Sequence, residues 1–227
     1  KGEKVKIQDI TFSGNTMVPS KKLRKQFEET KRKKQIFANS KFDESLYEDD
    51  KKLLIAYYNT LGYRDARIIS DSIWRNEEGQ LMLHLDVHEG NQYYFRNITF
   101  KGNSIYEDDA LFQRLKIVKG DVYNEELLQT RLSFSEDGRD VSSLYMDNGY
   151  LFFQVDPVEV AIVGDSLDLE LRIFEGPQAT IDKVIIKGND RTHEHVIRRE
   201  IRTRPGDKFS RSDIIRSQRE IVNLGYF

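Results

Sequence analysis

Apolar and polar residues alternate one by one in two stretches of the chain, "LMLHLDVHEG" at 81–90 and "LDLELRIFEG" at 167–176. Alternation with a period of two predicts β-strands that bury one face and leave the other open. The turn-forming sequences "NEEG" and "VGDS" come before them, so each stretch is predicted to be the second strand of a hairpin. The positions predicted to be buried are Leu81, Leu83, Leu85, Val87, Leu167, Leu169, Leu171 and Ile173.

A second phrase, apolar-x-apolar-x-Gly-Asn, occurs three times: "ITFSGN" at 10–15, "ITFKGN" at 98–103 and "VIIKGN" at 184–189. Its glycines are spaced 88 and 86 residues apart, at Gly14, Gly102 and Gly188. The phrase predicts a strand followed by a turn, because Gly and Asn both tolerate positive φ. Recurrence at a near-constant spacing predicts tandem repeats. The alternative is one large α/β domain with coincidental echoes.

Two helices are predicted after each turn. The first carries an apolar pair at i and i+4, which is typical of a short amphipathic helix. These pairs are Leu23 with Phe27, Leu111 with Leu115, and Ile197 with Ile201. The second has a longer apolar stripe, formed by Leu53, Leu54, Tyr57, Tyr58 and Leu61 in the first copy and by Ile214, Ile215, Ile221 and Val222 in the third.

The second helix has recognisable start and stop signals. Asp43, Asn124 and Ser210 follow an aromatic residue and are candidate N-caps, since their side chains can accept from free N–H groups. The helix is predicted to end at the glycine of a recurring "LGY" or "NGY" phrase, at Gly62, Gly149 and Gly225. In the middle copy Ser133–Ser143 is inserted before this phrase, so we do not expect one continuous second helix there.

The order of elements is therefore β-α-α-β-β in each repeat. We predict an α+β fold in which two helices cover one face of a three-stranded sheet. The predicted repeats are residues 1–91, residues 92–177 and a shorter third one, residues 178–227, that has its first strand and both helices but lacks the closing hairpin.

Composition excludes several classes of function. The net charge of −2 argues against a chain-wide nucleic-acid footprint, and the absence of cysteine excludes disulfides and cysteine-based zinc sites. No apolar run is long enough to span a bilayer as a helix. Neither a phosphate-binding glycine loop nor a nucleophile with a paired base is recognisable. We therefore expect no catalytic residue and no cofactor.

Several polar or aromatic features have a possible functional interpretation, which we weigh against a purely structural one. His84, Asp86 and His88 share a strand face, and His193 and His195 form an H-x-H, but neither set offers enough convergent ligands, so we predict no metal site. Lys31–Lys34 is interpreted as a solvated loop rather than a lipid or nucleic-acid site.

From Thr180 onward, 11 Lys/Arg against 7 Asp/Glu give a slight basic excess that favours anionic headgroups. Trp74 is expected in the core rather than in a docking groove.

These phrases together carry a family resemblance. A β-α-α-β-β unit with the Gly-Asn phrase at its head, "LGY" after its second helix and "EG" at its end resembles a POTRA domain. The whole chain is similar to tandem POTRA domains of the BamA family of outer-membrane protein assembly factors. The stretch "VIIKGNDRTHEHVIRREIRTRPGDKF" followed by "LGYF" is similar to the fifth, barrel-proximal domain, so the earlier repeats resemble the third and fourth.

The resemblance implies a mixed sheet and a non-catalytic role on the periplasmic side of the bacterial outer membrane. The implied partners are unfolded outer-membrane proteins, accessory outer-membrane lipoproteins, and the chain's own C-terminal β-barrel outside this sequence, with the membrane surface nearby and no nucleic acid. We thus expect the sequence to be part of a longer membrane-anchored chain. Alternatives are the POTRA arm of a two-partner secretion or TamA-like transporter, or an interaction module without a barrel.

In this family the first strand of the closing hairpin lies at a sheet edge, where another chain can add a strand. In the second repeat Pro157 independently indicates an edge, so Phe153, Gln154 and Val155 are a secondary candidate. The first repeat has no proline at the corresponding place, and we expect an uninterrupted ladder there. The predicted client-binding residues are Ala66, Arg67, Ile68, Ile69, Ser70, Asp71, Ser72 and Ile73.

Overall fold

The computed structural model describes residues 7–30, 42–189 and 192–225. The chain divides into two compact units. The first unit comprises Lys1–Tyr94, Gly120–Glu125 and Val163–Ser166, and the second comprises Phe95–Lys119, Glu126–Ile162 and Leu167–Phe227.

The first repeat has the predicted order of elements. They are strand β1 (Ile7–Ser13), helix α1 (Ser20–Leu23) with a 3-10 turn (Arg24–Gln26), helix α2 (Glu44–Thr60), strand β2 (Arg67–Arg75) and strand β3 (Leu81–His88). The sheet order is β1-β3-β2, with β3 parallel to β1 and antiparallel to β2. The mixed three-stranded sheet is confirmed, and β2 lies at one of its edges.

Helix α2 begins and ends where its sequence signals indicate. The Asp43 side chain accepts hydrogen bonds from the N–H groups of Ser45 and Leu46, and Gly62 follows the helix with a φ of 88°. The predicted stripe was wrong at Leu53, which is 43% exposed, because it lies beside the buried Leu54 and so points away from the sheet. The buried core of the repeat includes Ile7, Ile10, Leu23, Phe27, Tyr47, Leu54, Tyr58, Leu81, Leu83, Leu85 and Val87.

The second repeat has the same plan with a broken second helix. Its elements are β4 (Tyr94–Lys101), α3 (Asp108–Leu115), α4 (Glu125–Ser133), α5 (Val141–Met146), β5 (Gln154–Val163) and β6 (Ser166–Phe174). The sheet order is β4-β6-β5, so β5 is also an edge strand. The predicted interruption by the inserted segment is confirmed: Asp140 caps a new helix by accepting from the N–H of Ser143 at 2.8 Å.

The third segment contains helices α6 (Glu194–Arg198) and α7 (Arg211–Asn223). The prediction of a first strand at 184–189 was wrong, since none forms in this part of the described chain. The physical reason is that the corresponding β1 is paired with the last strand of its own repeat, whereas the described part of 178–227 contains no such strand. Several residues of the predicted apolar stripe of the second helix are exposed: Ile214, Ile215 and Val222.

The turn after the first strand is held by a glutamate from the end of the last strand. Glu89, of the "HEG" phrase, accepts hydrogen bonds from the backbone N–H groups of Thr16 and Met17, both at 2.7 Å, and Val18, at 2.9 Å. The Tyr58 hydroxyl of α2 donates to the same carboxylate at 3.1 Å. One side chain therefore connects the first strand's turn, the second helix and the last strand.

The second repeat uses the equivalent residue in the same way. Glu175 accepts from the N–H groups of Ser104 and Ile105, both at 2.8 Å, and from the Tyr145 hydroxyl at 3.2 Å. The Gly-Asn and Glu-Gly phrases are separate in the sequence. In the structure the glutamate of the second phrase accepts hydrogen bonds from the backbone just after the first.

Replacing Glu89 with Gln tests this contact through its pH dependence. Burial alone would raise the pKa of Glu89, but the donors from Met17, Val18, Thr16 and Tyr58 outweigh it and hold the pKa below its ordinary value of 4.5. The stabilisation is therefore fully present above that value and is lost as pH falls through the folded-state pKa. We expect Glu89→Gln to lower the free energy of unfolding by about 2 kcal/mol at pH 7.

The measurement is urea unfolding of both proteins between pH 7 and pH 3. The difference in the free energy of unfolding between wild type and Glu89→Gln should shrink in acid, whereas the exposed control Glu78→Gln should behave as the wild type does throughout. A difference that stays constant down to pH 3 would show that the ionised carboxylate is not what stabilises the turn.

Gly14 is predicted to be irreplaceable for a steric reason as well as a conformational one. Its φ is +75°, and an added Cβ would lie 2.0 Å from the carbonyl oxygen of Val87. Gly79, in the β2–β3 turn, has the same φ of +75° and nothing within 4 Å of its Cβ position. We expect Gly79→Ala to cost about 1 kcal/mol and Gly14→Ala about 3 kcal/mol or more, measured by urea unfolding. Equal losses would contradict the close approach.

Candidate functional site

The predicted client strand is an edge strand. Arg67–Ile73 lies in β2, which pairs with β3 on one side, and within the described ranges no strand pairs with its other side. Ala66 belongs to the predicted set but precedes the strand and is buried, 7% exposed. The edge available for another chain therefore begins at Arg67 and continues to Arg75.

The register with β3 assigns each β2 side chain to a face of the sheet. Asp71 lies opposite Leu85 and Ile73 opposite Leu83, which places both on the face that the helices cover. Ser70, Ser72 and Trp74 alternate with them and lie on the opposite, open face. The two faces of this edge therefore differ in chemistry.

The expectation of an uninterrupted ladder was wrong. The register with β3 shifts between Ile68 and Ser70, so Ile69 is an extra residue in β2, and it is 59% exposed. Such a bulge leaves the extra residue unpaired and bends the strand. Bulges need no proline, so the absence of one was not sufficient to predict a regular ladder.

The placement of Trp74 in the core was also wrong. The indole is 44% exposed and lies opposite Met82 on the open face of the sheet. A core position requires cover from a helix, and Trp74 alternates with Ile73 onto the face that the helices leave open. It therefore adds an exposed aromatic surface to the end of the edge strand.

An ionic cluster lies where α2 meets the edge strand. The Lys51 ammonium is 2.6 Å from Glu48 and 3.4 Å from Asp71. Burial alone would lower the pKa of Lys51, and the hydrogen bond with Glu48 and the charge of Asp71 reverse this and raise it. Burial, and then the charge of Asp71, raise the pKa of the Tyr47 phenol. Asp71 therefore brings a carboxylate to a face on which the other β2 side chains are Ile68, Ile73 and, at the far end, Arg75, whose guanidinium donates to the Gly79 carbonyl at 3.2 Å.

The open face carries hydrogen-bonded polar side chains. The two ring nitrogens of His84 each lie 3.0 Å from a hydroxyl, of Thr11 and Ser13, and Ser13 donates to Asp86 at 2.9 Å. Among the described residues no group of three His, Cys, Asp or Glu side chains could hold a metal ion. His193 and His195 have stacked rings 5.7 Å apart, and Lys31–Lys34 lies outside the described residues.

The secondary candidate begins one residue before β5. Gln154 and Val155 are in the strand, whereas Phe153 precedes it, is 4% exposed and stacks on Tyr145 with ring centroids 4.1 Å apart. Phe153 therefore belongs to the core, and the open edge begins at Gln154. Further along β5 the exposed apolar side chains are Val160, Ile162 and Val163.

The backbone carbonyl of the glycine in the "LGY" or "NGY" phrase accepts a hydrogen bond from the segment that follows its repeat. We call this contact a joint. In the first unit, Tyr93 donates its N–H to the carbonyl of Gly62 at 2.9 Å and accepts from the N–H of Tyr123 at 2.8 Å. In the second unit, Ala179 donates to Gly149 at 2.8 Å and accepts from Phe209 at 2.9 Å. Both joints also include an antiparallel bridge, at Tyr94–Val122 and at Thr180–Lys208.

Inside the second unit the inserted segment contacts the start of α7. Asp140, fully buried, accepts two hydrogen bonds from the Arg211 guanidinium, at 2.9 and 2.7 Å, and Arg211 also donates to the carbonyl of Ser133 at 2.9 Å. The N–H of Ser212 donates to Asp147 at 2.8 Å. Sequence reasoning missed this contact, although the inserted segment and its "SEDGRD" run marked one side of it.

The chain thus consists of tandem two-layer α+β modules of the order β-α-α-β-β, and each complete module has an open sheet edge. A family model described as POTRA, surface antigen variable number repeat, matches residues 5–90, 93–176 and 179–227. The chain belongs to the POTRA family. The expected fold class and the resemblance to BamA POTRA domains are confirmed.

Relatives and solved structures agree with this assignment. The chain is 27% identical to outer membrane protein assembly factor BamA of Neisseria meningitidis serogroup B, over all of this chain and 28% of that protein. It is 28% identical to BamA of Nitratidesulfovibrio vulgaris, over 81% of this chain and 23% of that protein. The chain thus spans less than a third of the length of these curated relatives.

A crystal structure of POTRA domains 3–5 of Haemophilus influenzae BamA superposes with a TM-score of 0.71. It covers 98% of this chain and 87% of that chain at 23% identity, which shows the fold. Within the part of the chain that the structure describes, no helix has the length and apolar character to cross a bilayer.

The contact of Asp140 with Arg211 is expected to be strongly coupled. A buried carboxylate that loses its guanidinium partner remains desolvated, so Asp140→Asn and Arg211→Met should each destabilise the second unit by about 3 kcal/mol. The double variant should lose markedly less than the sum, giving a coupling energy of about 2 kcal/mol. Urea unfolding of the four proteins measures this. Additivity within about 0.5 kcal/mol would show that the pair does not act as a unit.

Proposed function

We propose that the chain is a POTRA segment of the periplasmic arm of an outer-membrane protein assembly factor. In this role it is a scaffold that receives unfolded β-barrel proteins as extended strands and hands them toward the membrane. The observation that carries the proposal is the open edge of β2, whose residues from Ile69 to Arg75 are all exposed. Family membership supports it, because the named relatives are outer membrane protein assembly factors.

The mechanism needs only main-chain chemistry. An edge strand presents N–H and C=O groups that a second strand can pair with, and such pairing tolerates many sequences. This suits a receptor whose clients differ in sequence but share extended, alternating strands. Strand β5, beginning at Gln154, offers a second edge of the same kind in the next repeat.

The repeat boundaries, the location and the neighbouring proteins in this proposal are taken from the way POTRA domains are arranged in this family. We assign the three repeats to residues 1–91, 92–177 and 178–227, and we place them on the periplasmic side of the outer membrane. Accessory lipoproteins and a C-terminal barrel of the same protein are the proposed neighbours. The joints at Gly62 and Gly149 are backbone hydrogen bonds that each lie within one unit.

Single cysteines provide a test of the edge, since the chain has no native cysteine. We expect a client strand peptide with one cysteine to form disulfides with Ser70→Cys and Ser72→Cys on β2. Ser13→Cys on β1, at the opposite edge of the same sheet, is the matched control and should react about tenfold less. Comparable yields at both edges would remove the case for a specific docking edge.

A second experiment tests whether main-chain hydrogen bonds account for the binding of the peptide. The same peptide is N-methylated either at its odd or at its even positions, because an added strand directs only alternate N–H groups toward its partner. One methylated peptide should lose at least tenfold in crosslinking yield and the other should retain most of it. Equal behaviour of the two peptides would contradict strand addition.

A further inference from the structure

The β2 edge carries a carboxylate and an apolar side chain two residues apart on one face. Asp71 and Ile73 both lie on the helix-covered face, opposite Leu85 and Leu83. The Asp71 side chain is 29% exposed and Ile73 is 43% exposed, so both are accessible from the open side of the strand. A strand added along β2 brings two of its own side chains next to them, since directly opposed side chains lie within contact distance.

The charge at this position is not neutralised within the cluster. Asp71 and Glu48 share a single ammonium, that of Lys51, which lies closer to Glu48 (2.6 Å) than to Asp71 (3.4 Å). Two carboxylates and one ammonium leave a net negative charge near neutral pH. Lys51 is also held in place, with its ammonium 5.0 Å from the centre of the Tyr47 ring. The negative charge is therefore offered at the edge, on the Asp71 side.

The opposite face of the edge has a different character. Ser70 and Ser72 lie opposite Asp86 and His84, in the polar network of the open sheet face. A strand that docks on β2 thus has one face toward Asp71 and Ile73 and the other toward hydroxyls and solvent. Within Ser70–Trp74 of the edge strand the charged side chain is Asp71, whereas Asp86 on the open face belongs to β3 and accepts a hydrogen bond from Ser13. Selection by charge is therefore expected on the first face.

We propose that Asp71 makes this edge selective for client strands that carry Lys or Arg beside it. The preferred segment has a cationic residue facing Asp71, an apolar residue two positions away facing Ile73, and polar residues on its other face. The inference rests on the proposed strand-receiving function and adds a substrate class to it. It assigns Asp71 as a specificity-determining residue and Lys51 as the group that moderates its charge.

Two symmetric peptides test the proposal. Each has the central pattern Ile-Ser-X-Ser-Ile with flanking Thr residues, where X is Lys or Glu, so that either strand direction brings an Ile next to Ile73. Binding to the 227-residue chain is measured by fluorescence anisotropy at low salt. We expect the Lys peptide to bind about tenfold more tightly than the Glu peptide, and the ratio to fall in about 0.5 M salt.

Variants of the protein assign the preference to Asp71. Asp71→Asn should reduce the Lys-to-Glu ratio to about twofold or less, and Asp71→Lys should invert it. Lys51→Met should increase the ratio, which keeps the test available if an Asp71 variant folds poorly. Glu78→Gln removes the same charge from the exposed β2–β3 turn and should leave the ratio unchanged.

The outcomes separate this inference from the function on which it rests. Equal binding of both peptides to the wild type overturns the charge selectivity and leaves strand addition standing. A ratio that survives Asp71→Asn also overturns it, because the preference then originates elsewhere. If neither peptide binds, the strand-receiving edge itself is refuted, and the selectivity falls with it.

Discussion

The hydrogen bonds between one glutamate carboxylate and the turn after the first strand hold each complete repeat together. In a β-α-α-β-β unit the first and last strands are parallel neighbours, yet about 70 residues of chain separate them. No hairpin can make that connection. The parallel ladder between β1 and β3 makes it, and Glu89 reinforces it by accepting hydrogen bonds from the N–H groups of Thr16, Met17 and Val18. Tyr58 connects the second helix to the same carboxylate. Removing it would leave the buried N–H of Val18 and the Tyr58 hydroxyl without this partner, which is costly.

In the third segment the Gly-Asn phrase has no partner strand beside it among the described residues. The Asn189 side chain still donates to the Thr192 carbonyl at 3.1 Å. Nothing lies within 4 Å of the Cβ position of Gly188, however, whereas the Gly14 position lies 2.0 Å from the Val87 carbonyl oxygen. The phrase therefore keeps the asparagine hydrogen bond but does not form a strand at 184–189. Strand formation in this fold depends on the distant closing strand rather than on local propensity.

The sequence was most informative where periodicity alone decides the structure. The alternation in 81–90 and 167–176 predicted both closing strands and their buried faces, and the glycine of "LGY" predicted the end of α2. It could not predict contacts between residues far apart in the chain, such as Asp140 with Arg211. Trp74 shows a different limit: its apolar character indicated burial, but only the sheet order and register reveal that no helix covers it.

The contacts that close the repeat and the edge proposed to receive a strand are in different parts of the same sheet. The turn, the core and the Glu89 contact involve β1, β3 and the helices, whereas β2 contributes one edge, in which Ile68 is the only half-buried residue and the others are exposed. Because β2 is not needed to satisfy the buried donors, its outer side can gain or lose a partner without opening the core. We infer that this separation lets the edge carry the Asp71 carboxylate, the proposed specificity-determining group, at little cost to stability, because that side chain is partly hydrated.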